Sequence, residues 1–230
     1  MIGIIGAMEE ETRVLLGVMS DKKTEKIHHL EYTSGKIGET DVVITQSGIG
    51  KVNSALATAF LIDRYQADLV INTGSAGAIK SGLAVGDVVV AEQLAYHDVD
   101  AMAFGYEKGQ VPQMPARYMS DVKSVEAIMA AAQVVGLNPS RGFIVSSDSF
   151  IASKEEINRI KAEFPEAAAT EMEGASIAQT CFNMSVPFVV VRAMSDSADE
   201  EASMSFDDFI IEAGKKSAEM VIEYVKRYSH

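Results

Sequence analysis

Short apolar runs rich in β-branched residues recur along the chain, and each meets glycine, serine or an acidic residue before a stretch of helical period begins. Residues 2–5 (IGII) open on Gly6, and Met8-Glu9-Glu10-Glu11 then leads into Val14, Leu15, Leu16, Val18 and Met19 at helix spacing. That reads as strand, glycine turn, helix, since a continuous apolar run suits a strand covered on both faces and a 3.6-residue period suits a helix with one buried stripe. Between 26 and 47 the runs shorten and alternate around Gly35, Gly38 and Glu39-Thr40. Two or three antiparallel strands are expected there, with His28 and His29 exposed along one of them.

A helix over 51–65 follows Gly48-Ile49-Gly50, and a strand over 68–72 runs into Thr73-Gly74-Ser75-Ala76-Gly77-Ala78, which has the small residues of a tight turn. Further strands are expected at 86–95, 142–146, 167–171 and 186–191, and helices at 121–135, 154–164, 176–182 and 206–228. Residues 96–118 carry Phe104, Tyr106 and several glycine or proline breaks but no period, so they read as a binding loop or a subunit contact. Strands and helices alternate without repeat or linker. The fold expected is α/β, a single domain spanning 1–230, with a mixed central β-sheet flanked by helices.

Charge narrows the classes of partner. With 33 acidic against 20 basic residues the formal charge is -13, which repels phosphate backbones and anionic lipid, so neither nucleic acid nor membrane is an expected partner. The sequence starts MIGIIGAMEEE, with neither the basic start nor the long apolar run of a signal peptide or membrane span, and its single cysteine, Cys181, suits a reducing compartment. A cytoplasmic location is the expectation. The GIGK at 48–51 is not a phosphate loop, because that loop needs glycine at 45 and Ser or Thr at 52, where Thr45 and Val52 stand. His97 with Asp98 and Asp100 offers one histidine only, and reads as a hydrogen-bonded turn rather than a metal cluster.

In open α/β sheets ligands bind beyond the carboxyl ends of strands, which makes Ser195 and Asp196, at the end of VPFVVVRAMSD, the first candidates for chemistry. Asp and Ser also turn chains and cap helices, and glutamates in a first helical turn complement the helix dipole. Collecting the polar residues at strand ends and helix starts gives Glu11, Ser75, Ser147, Asp148, Glu173, Ser195 and Asp196. Two acids and a base in one pocket suit cleavage of a glycosidic bond, one carboxyl protonating the leaving group and another activating water.

Six stretches taken together, IGIIGAMEEE (2–11), SGIGKVN (47–53), NTGSAGA (72–78), YHDVDAMAFGYEKGQVPQMP (96–115), EMEGA (171–175) and RAMSDSAD (192–199), closely resemble the 5'-methylthioadenosine/S-adenosylhomocysteine nucleosidase family. The resemblance runs in order along nearly the whole chain and implies a nucleoside phosphorylase-like fold and hydrolysis of the N-glycosidic bond, without metal or other cofactor. By position it makes Asp196 the general acid to adenine, with Ser195 holding its carboxyl, Glu11 the activator of water and Glu173 the ribose anchor. Met172 would pack on the sugar, Phe150 stack on adenine, and backbone groups of Ile151 recognise it. Met8, Ile49 and Phe206 would line the ribose and the 5' substituent, with Ser75, Ala76 and Gly77 beneath the water and base. Phe104 and Tyr106 would reach into a neighbouring subunit's pocket, which implies a homodimer. Ser147 departs from the glycine of many relatives, and Lys108 and Arg117 also vary.

Such chemistry asks for two carboxylates in different environments, an acid held near working pH and a base kept ionised. Three rivals stand beside it: a phosphorylase on the same fold, which needs cationic donors for phosphate; a hydrolase of futalosine-type nucleosides, differing at the 5' substituent; and a nucleoside-binding protein without turnover. Arg192, inside its strand, reads as the ion-pair partner of Glu171 or Glu173 rather than as a phosphate clamp.

Overall fold

The computed structural model describes residues 1–196 and 202–228, and the side chains of 202–208 lie outside that description. The chain opens with β1 (Ile2–Gly6), buried throughout because Ile2 and Ile4 face one helix layer and Ile5 the other. After α1 (Glu9–Val18), three strands run antiparallel to one another: β2 (Ser20–Ile27), β3 (Leu30–Ile37) and β4 (Thr40–Gln46). His28 and His29 are exposed, but they form the two-residue turn between β2 and β3 rather than lying along a strand. Ile27 pairs with Leu30, and a turn this tight takes His28 to φ 57°.

The remaining elements are α2 (Lys51–Tyr65), β5 (Leu69–Ala78), β6 (Val88–Tyr96), β7 (Tyr118–Met119), α3 (Val122–Val134), β8 (Pro139–Ser146), α4 (Lys154–Glu163), β9 (Ala167–Glu171), α5 (Gly174–Asn183), β10 (Phe188–Asp196) and α6 (Ala202–Arg227). Helices α2 and α5 cover one face of the sheet through Ala57, Leu61, Ile177 and Ala178. Helices α1, α3 and α6 cover the other through Leu15, Ile128, Val221 and Val225. Ile157 and Ile160 of α4 pack in a smaller cluster with Phe143 and Val145 of β8. Cys181 is buried in the α2–α5 layer, where it packs as a small apolar residue.

The sheet order is β10-β6-β8-β9-β5-β1-β4-β3-β2, with β7 on β6, and β10 also pairs with β5. Strands β5, β10, β6, β8 and β9 therefore close into a ring, from which β1 to β4 extend as an open wing. This closure corrects the expected turn at 73–78. Past Asn72 the strand loses its β1 partner, but it continues along β10 and reaches β9 at Gly77 and Ala78. The small residues there make room for neighbouring side chains instead of bending the chain: a Cβ at Gly74 would stand 2.5 Å from Glu11 Oε1. Parallel pairing aligns β1, β5 and β10 with one another, and likewise β8 with β9, so that Gly6, Glu171 and Asp196 end their strands beside one cavity.

Residues 97–117 hold one 3-10 turn, Met102–Phe104, and are tied down by ionic contacts. Lys108 Nζ lies 3.2 Å from Asp100 and 3.7 Å from Glu163, and the Arg117 guanidinium sits 4.0 Å from the centre of the Phe143 ring. Among the described residues no helix is long and apolar enough to cross a membrane.

Candidate active site

A cavity of about 410 Å³ opens where these strand ends meet the starts of α1 and α5. Its wall takes in Met8, Glu11, Ile49, Ser75, Ala76, Gly77, Phe150, Ile151, Met172, Glu173, Ser195 and Asp196, and adds Ala7, Ser149, Thr170 and Glu171. Phe104 and Tyr106 are not among the residues lining it; Phe104 is 83% exposed and Tyr106 half-buried. Phe206 belongs to α6, and its side chain lies outside the described residues, as do Ser197, Ala198 and Asp199.

Of the glutamates that open α1 only Glu11 is buried. A bend at Ala7 and Met8 carries the chain from β1 into α1, and Glu11 Oε2 curls back to accept the N–H groups of Ala7 at 2.7 Å and Met8 at 3.2 Å. Its Oε1 accepts Ser75 N–H at 3.0 Å and the Ser75 hydroxyl at 3.3 Å. Thus it satisfies its own helix start, as any N-terminal acid does, and still faces the cavity. Burial pushes the carboxyl above its usual range, while the Arg192 guanidinium and the amides of Ser75, Ala7 and Met8 pull it back down.

Glu171 and Glu173 are separated by the switch from β9 to α5, and they point to different tasks. Glu171 Oε2 accepts the N–H groups of Glu173 at 3.1 Å and Gly174 at 2.7 Å, and meets Arg192 at 2.5 Å; its Oε1 takes the Ser146 hydroxyl. Arg192 is almost wholly buried and also reaches Asn72 and the Val191 carbonyl. This is the ion pair expected from the sequence, resolved in favour of Glu171. Glu173 occupies the N-cap position of α5 but makes no side-chain cap. Its Oε1 accepts Gly50 N–H at 2.8 Å from across the cavity. Burial first, then the neighbouring Glu171 and Glu11 charges, push its carboxyl up to about 8, against the pull of Arg192 and the Gly50 amide.

At the opposite wall β10 and β5 slip register between Met194 and Asp196, a bulge that re-aims the end of the strand. Asp196 is buried and accepts the Ser195 hydroxyl at 2.8 Å. The turn after β8 presents Phe150, half exposed, and Ile151, buried. Ser147 staples that turn: its hydroxyl accepts Ser149 N–H at 3.0 Å and contacts the Ser149 carbonyl at 3.2 Å.

The cavity therefore collects four carboxylates among otherwise apolar or small neutral residues, and among the described residues no lysine, arginine or histidine lines it. Glu171 pairs with Arg192, and Glu11, Glu173 and Asp196 are the other three carboxylates of the lining. Sequence reasoning placed these three but missed Asn72, Ser146 and Thr170. Ser146 closes β8, and that position was the one signal available for it, whereas Asn72 lies inside β5 and Thr170 inside β9.

Residues 1–226 match the model of the Phosphorylase superfamily. A 5'-methylthioadenosine/S-adenosylhomocysteine nucleosidase of Staphylococcus aureus (strain MRSA252) is 49% identical over 221 residues, covering 96% of this chain and 97% of its own. The nucleosidase of that name from Neisseria meningitidis, solved in complex with methylthio-immucillin-A, superposes with a TM-score of 0.97 at 48% identity, over 99% of both chains. A futalosine hydrolase of Helicobacter pylori superposes with a TM-score of 0.94 at 34% identity, over 99% of this chain and 97% of its own. Identity of this extent, carried by the same fold and a cavity built from the very motifs that suggested it, places the chain in the 5'-methylthioadenosine/S-adenosylhomocysteine nucleosidase family of the phosphorylase superfamily.

Proposed function

We propose that the chain, acting as one domain over 1–230, hydrolyses 5'-methylthioadenosine and S-adenosylhomocysteine to adenine and the 5-thio-substituted ribose, with Asp196, Glu11 and Glu173 dividing the work. Asp196 protonates ring nitrogen seven of adenine, so that the base leaves neutral as its bond to the anomeric carbon breaks. Water adds to that carbon and gives its proton to Glu11. Three amide donors and Arg192 favour the ionised form that a base needs. Glu173, whose carboxyl titrates near 8, carries a proton at neutral pH and donates it in a hydrogen bond to a ribose hydroxyl while Gly50 N–H occupies its other oxygen. Phe150 stacks on the base, the Ile151 backbone reads its edge, and Met172 packs on the sugar. Met8 and Ile49 line the ribose and the 5' substituent, over a floor of Ser75, Ala76 and Gly77.

The observation that carries this reading is the set of three buried acids around a cavity whose described lining includes no cationic side chain. A phosphorylase must gather donors for an inorganic phosphate, and the Arg192 guanidinium is spent on Glu171 and Asn72. The exposed apolar side chains of Val52, Leu56, Phe104 and Phe182 support assembly as a homodimer, with Phe104 and Tyr106 reaching the neighbouring cavity. The strongly negative chain favours a small-molecule partner over nucleic acid or membrane, and the single cysteine suits a reducing, cytoplasmic site of action.

The test is chromatographic analysis of products from 5'-methylthioadenosine, with and without phosphate, alongside Asp196→Asn and Glu11→Gln. Adenine and free methylthioribose should appear whether or not phosphate is present, and each variant should lose roughly 10²–10⁴ in rate. A sugar phosphate that needs added phosphate would sink the hydrolase reading, and bound, uncleaved nucleoside would make the chain a binding protein. A futalosine-type nucleoside offered in the same assay measures how far the 5' end is discriminated.

A further inference from the structure

Two walls of the cavity are gripped from outside by consecutive amides. Gly50, at φ 98°, precedes α2 and donates its N–H to Glu173. The next amide, that of Lys51, donates to Asp148 Oδ1 at 2.8 Å. Asp148 sits in the turn that leads from β8 to Phe150 and Ile151, so the start of α2 holds the ribose anchor with one N–H and the turn facing the base with the next. A Cβ at Gly50 would stand 3.0 Å from Asp148 Oδ1, which leaves little slack between the two segments. Ser54, one turn along α2, shares a 2.6 Å hydrogen bond with Ser176 of α5, and the Ser176 hydroxyl donates to the Glu173 carbonyl at 2.7 Å.

The Lys51 side chain closes this arrangement. Its Nζ lies 2.7 Å from Asp98 Oδ2 and 3.7 Å from Asp148 Oδ2, over the Tyr96 ring at 5.2 Å. Asp98 Oδ2 in turn accepts Asp148 N–H at 3.3 Å. Lys51, Asp98 and Asp148 thus form a triangle joining α2 to the ends of β6 and β8. The three side chains keep 23%, 31% and 53% of their surface in solvent, and ion pairs that exposed contribute little to folding stability.

We propose that Lys51, clamped by Asp98 and Asp148, is a positioning residue for substrate binding. It holds the first turn of α2 so that Gly50 aims Glu173 at the ribose, while Lys51 N–H and Asp148 hold the turn that carries Phe150 and Ile151 against the base. The assignment rests on the nucleosidase reading above, and none of the three residues is itself a catalytic residue.

The experiment compares wild type, Lys51→Ala, Lys51→Arg, Asp148→Ala and the Lys51→Ala/Asp148→Ala double variant by steady-state kinetics on 5'-methylthioadenosine, thermal melting, and amide exchange at Gly50 and Lys51 by NMR. Lys51→Ala should raise KM about tenfold, the effect of one lost charge-assisted contact, and leave kcat within about threefold and Tm nearly unchanged. Lys51→Arg should recover most of the KM, the double variant should be no worse than the worse single one, and the two amides should exchange faster while those of α6 do not. Unchanged KM and unchanged exchange would overturn the proposal. So would parallel losses of Tm and kcat that Lys51→Arg does not repair, since that is a structural ion pair and nothing more. If wild type releases no adenine, the nucleosidase reading fails instead, and the exchange arm still decides whether Lys51 orders the two amides. Should Lys51→Ala fail to fold, Asp98→Asn carries the same KM and exchange measurements.

Discussion

Glu11 and Glu173 are both buried carboxyls at the start of a helix, yet the two ends of the cavity hold them in opposite ways. Glu11 accepts three backbone N–H groups and a hydroxyl, and its largest electrostatic neighbour is the Arg192 cation. Glu173 accepts a single N–H from Gly50 and faces the negative charges of Glu171 and Glu11. Burial raises both. Donors oppose that rise at one end, and like charges add to it at the other. Burial alone therefore does not set the state of such an acid: the count of donors aimed at each oxygen, and the sign of the next charge, decide which protonation state it favours.

Arg192 is common to both ends, so its loss gives the largest effect. Arg192→Met leaves Glu171 as an uncompensated charge in the core and should destabilise the fold by about 3–5 kcal/mol, read from urea unfolding. It should also push Glu11 and Glu173 up together, moving the acid limb of the pH–rate profile to higher pH. A profile that stays in place would show that Arg192 supports only the fold.

Gly74→Ala strikes the Glu11 end alone. The added Cβ would stand 2.5 Å from Glu11 Oε1 and 2.8 Å from its Cδ. The carboxyl must swing off Ser75, and kcat should fall on the order of 10²-fold with little change in KM, because displacement of a reacting group by an ångström costs about that much. A KM effect without a kcat effect would break the assignment of Glu11 to the chemical step.

Glu173→Gln addresses the other end through stability. A carboxyl whose folded pKa is about 8, against an unfolded value near 4.5, favours the fold while protonated, and that contribution is lost as pH rises from about 4.5 to about 8. Glutamine mimics the protonated form at every pH. The Tm of Glu173→Gln should therefore exceed that of wild type by a margin that grows across this window and levels off above it. Melting curves that stay parallel from pH 5 to pH 9, about the range of the window, would show that Glu173 carries no proton across it.

The smallest effect belongs to the turn between the two ends. Ser147→Gly removes the bond from Ser149 N–H and adds backbone freedom, which should cost about 1 kcal/mol of stability and raise KM roughly two- to threefold. No change in KM would show that the turn is held by Asp148 without help from Ser147.

Much of the site was legible in the sequence because strand ends and helix starts are local facts. Asp196 ends β10, which opens with four apolar residues in a row, and Glu11 and Glu173 each stand at the start of a helix. Local pattern misled where a segment answers to a distant partner. Residues 73–78 have a turn's composition but remain strand, since β10 and β9 supply ladder partners that are far away in the chain. His28 and His29 sit in a strand-like stretch but turn the hairpin, because β2 and β3 pair too closely for a longer loop.

Apolar runs, their periods and the small-residue breaks were enough to determine the alternation of strands and helices and the mixed sheet, because burial periodicity is written residue by residue, and six motifs in order carried the resemblance to the family. Which acid does what could not be read that way. Glu171 and Glu173 are two residues apart and chemically alike, and only the approach of Arg192 from β10 and of Gly50 from the start of α2 makes one a neutralised support and the other a raised, cavity-facing carboxyl. Charge environments fall off over a few ångströms, and the residues that set them here lie tens of positions away along the chain, so the tertiary structure alone could decide them.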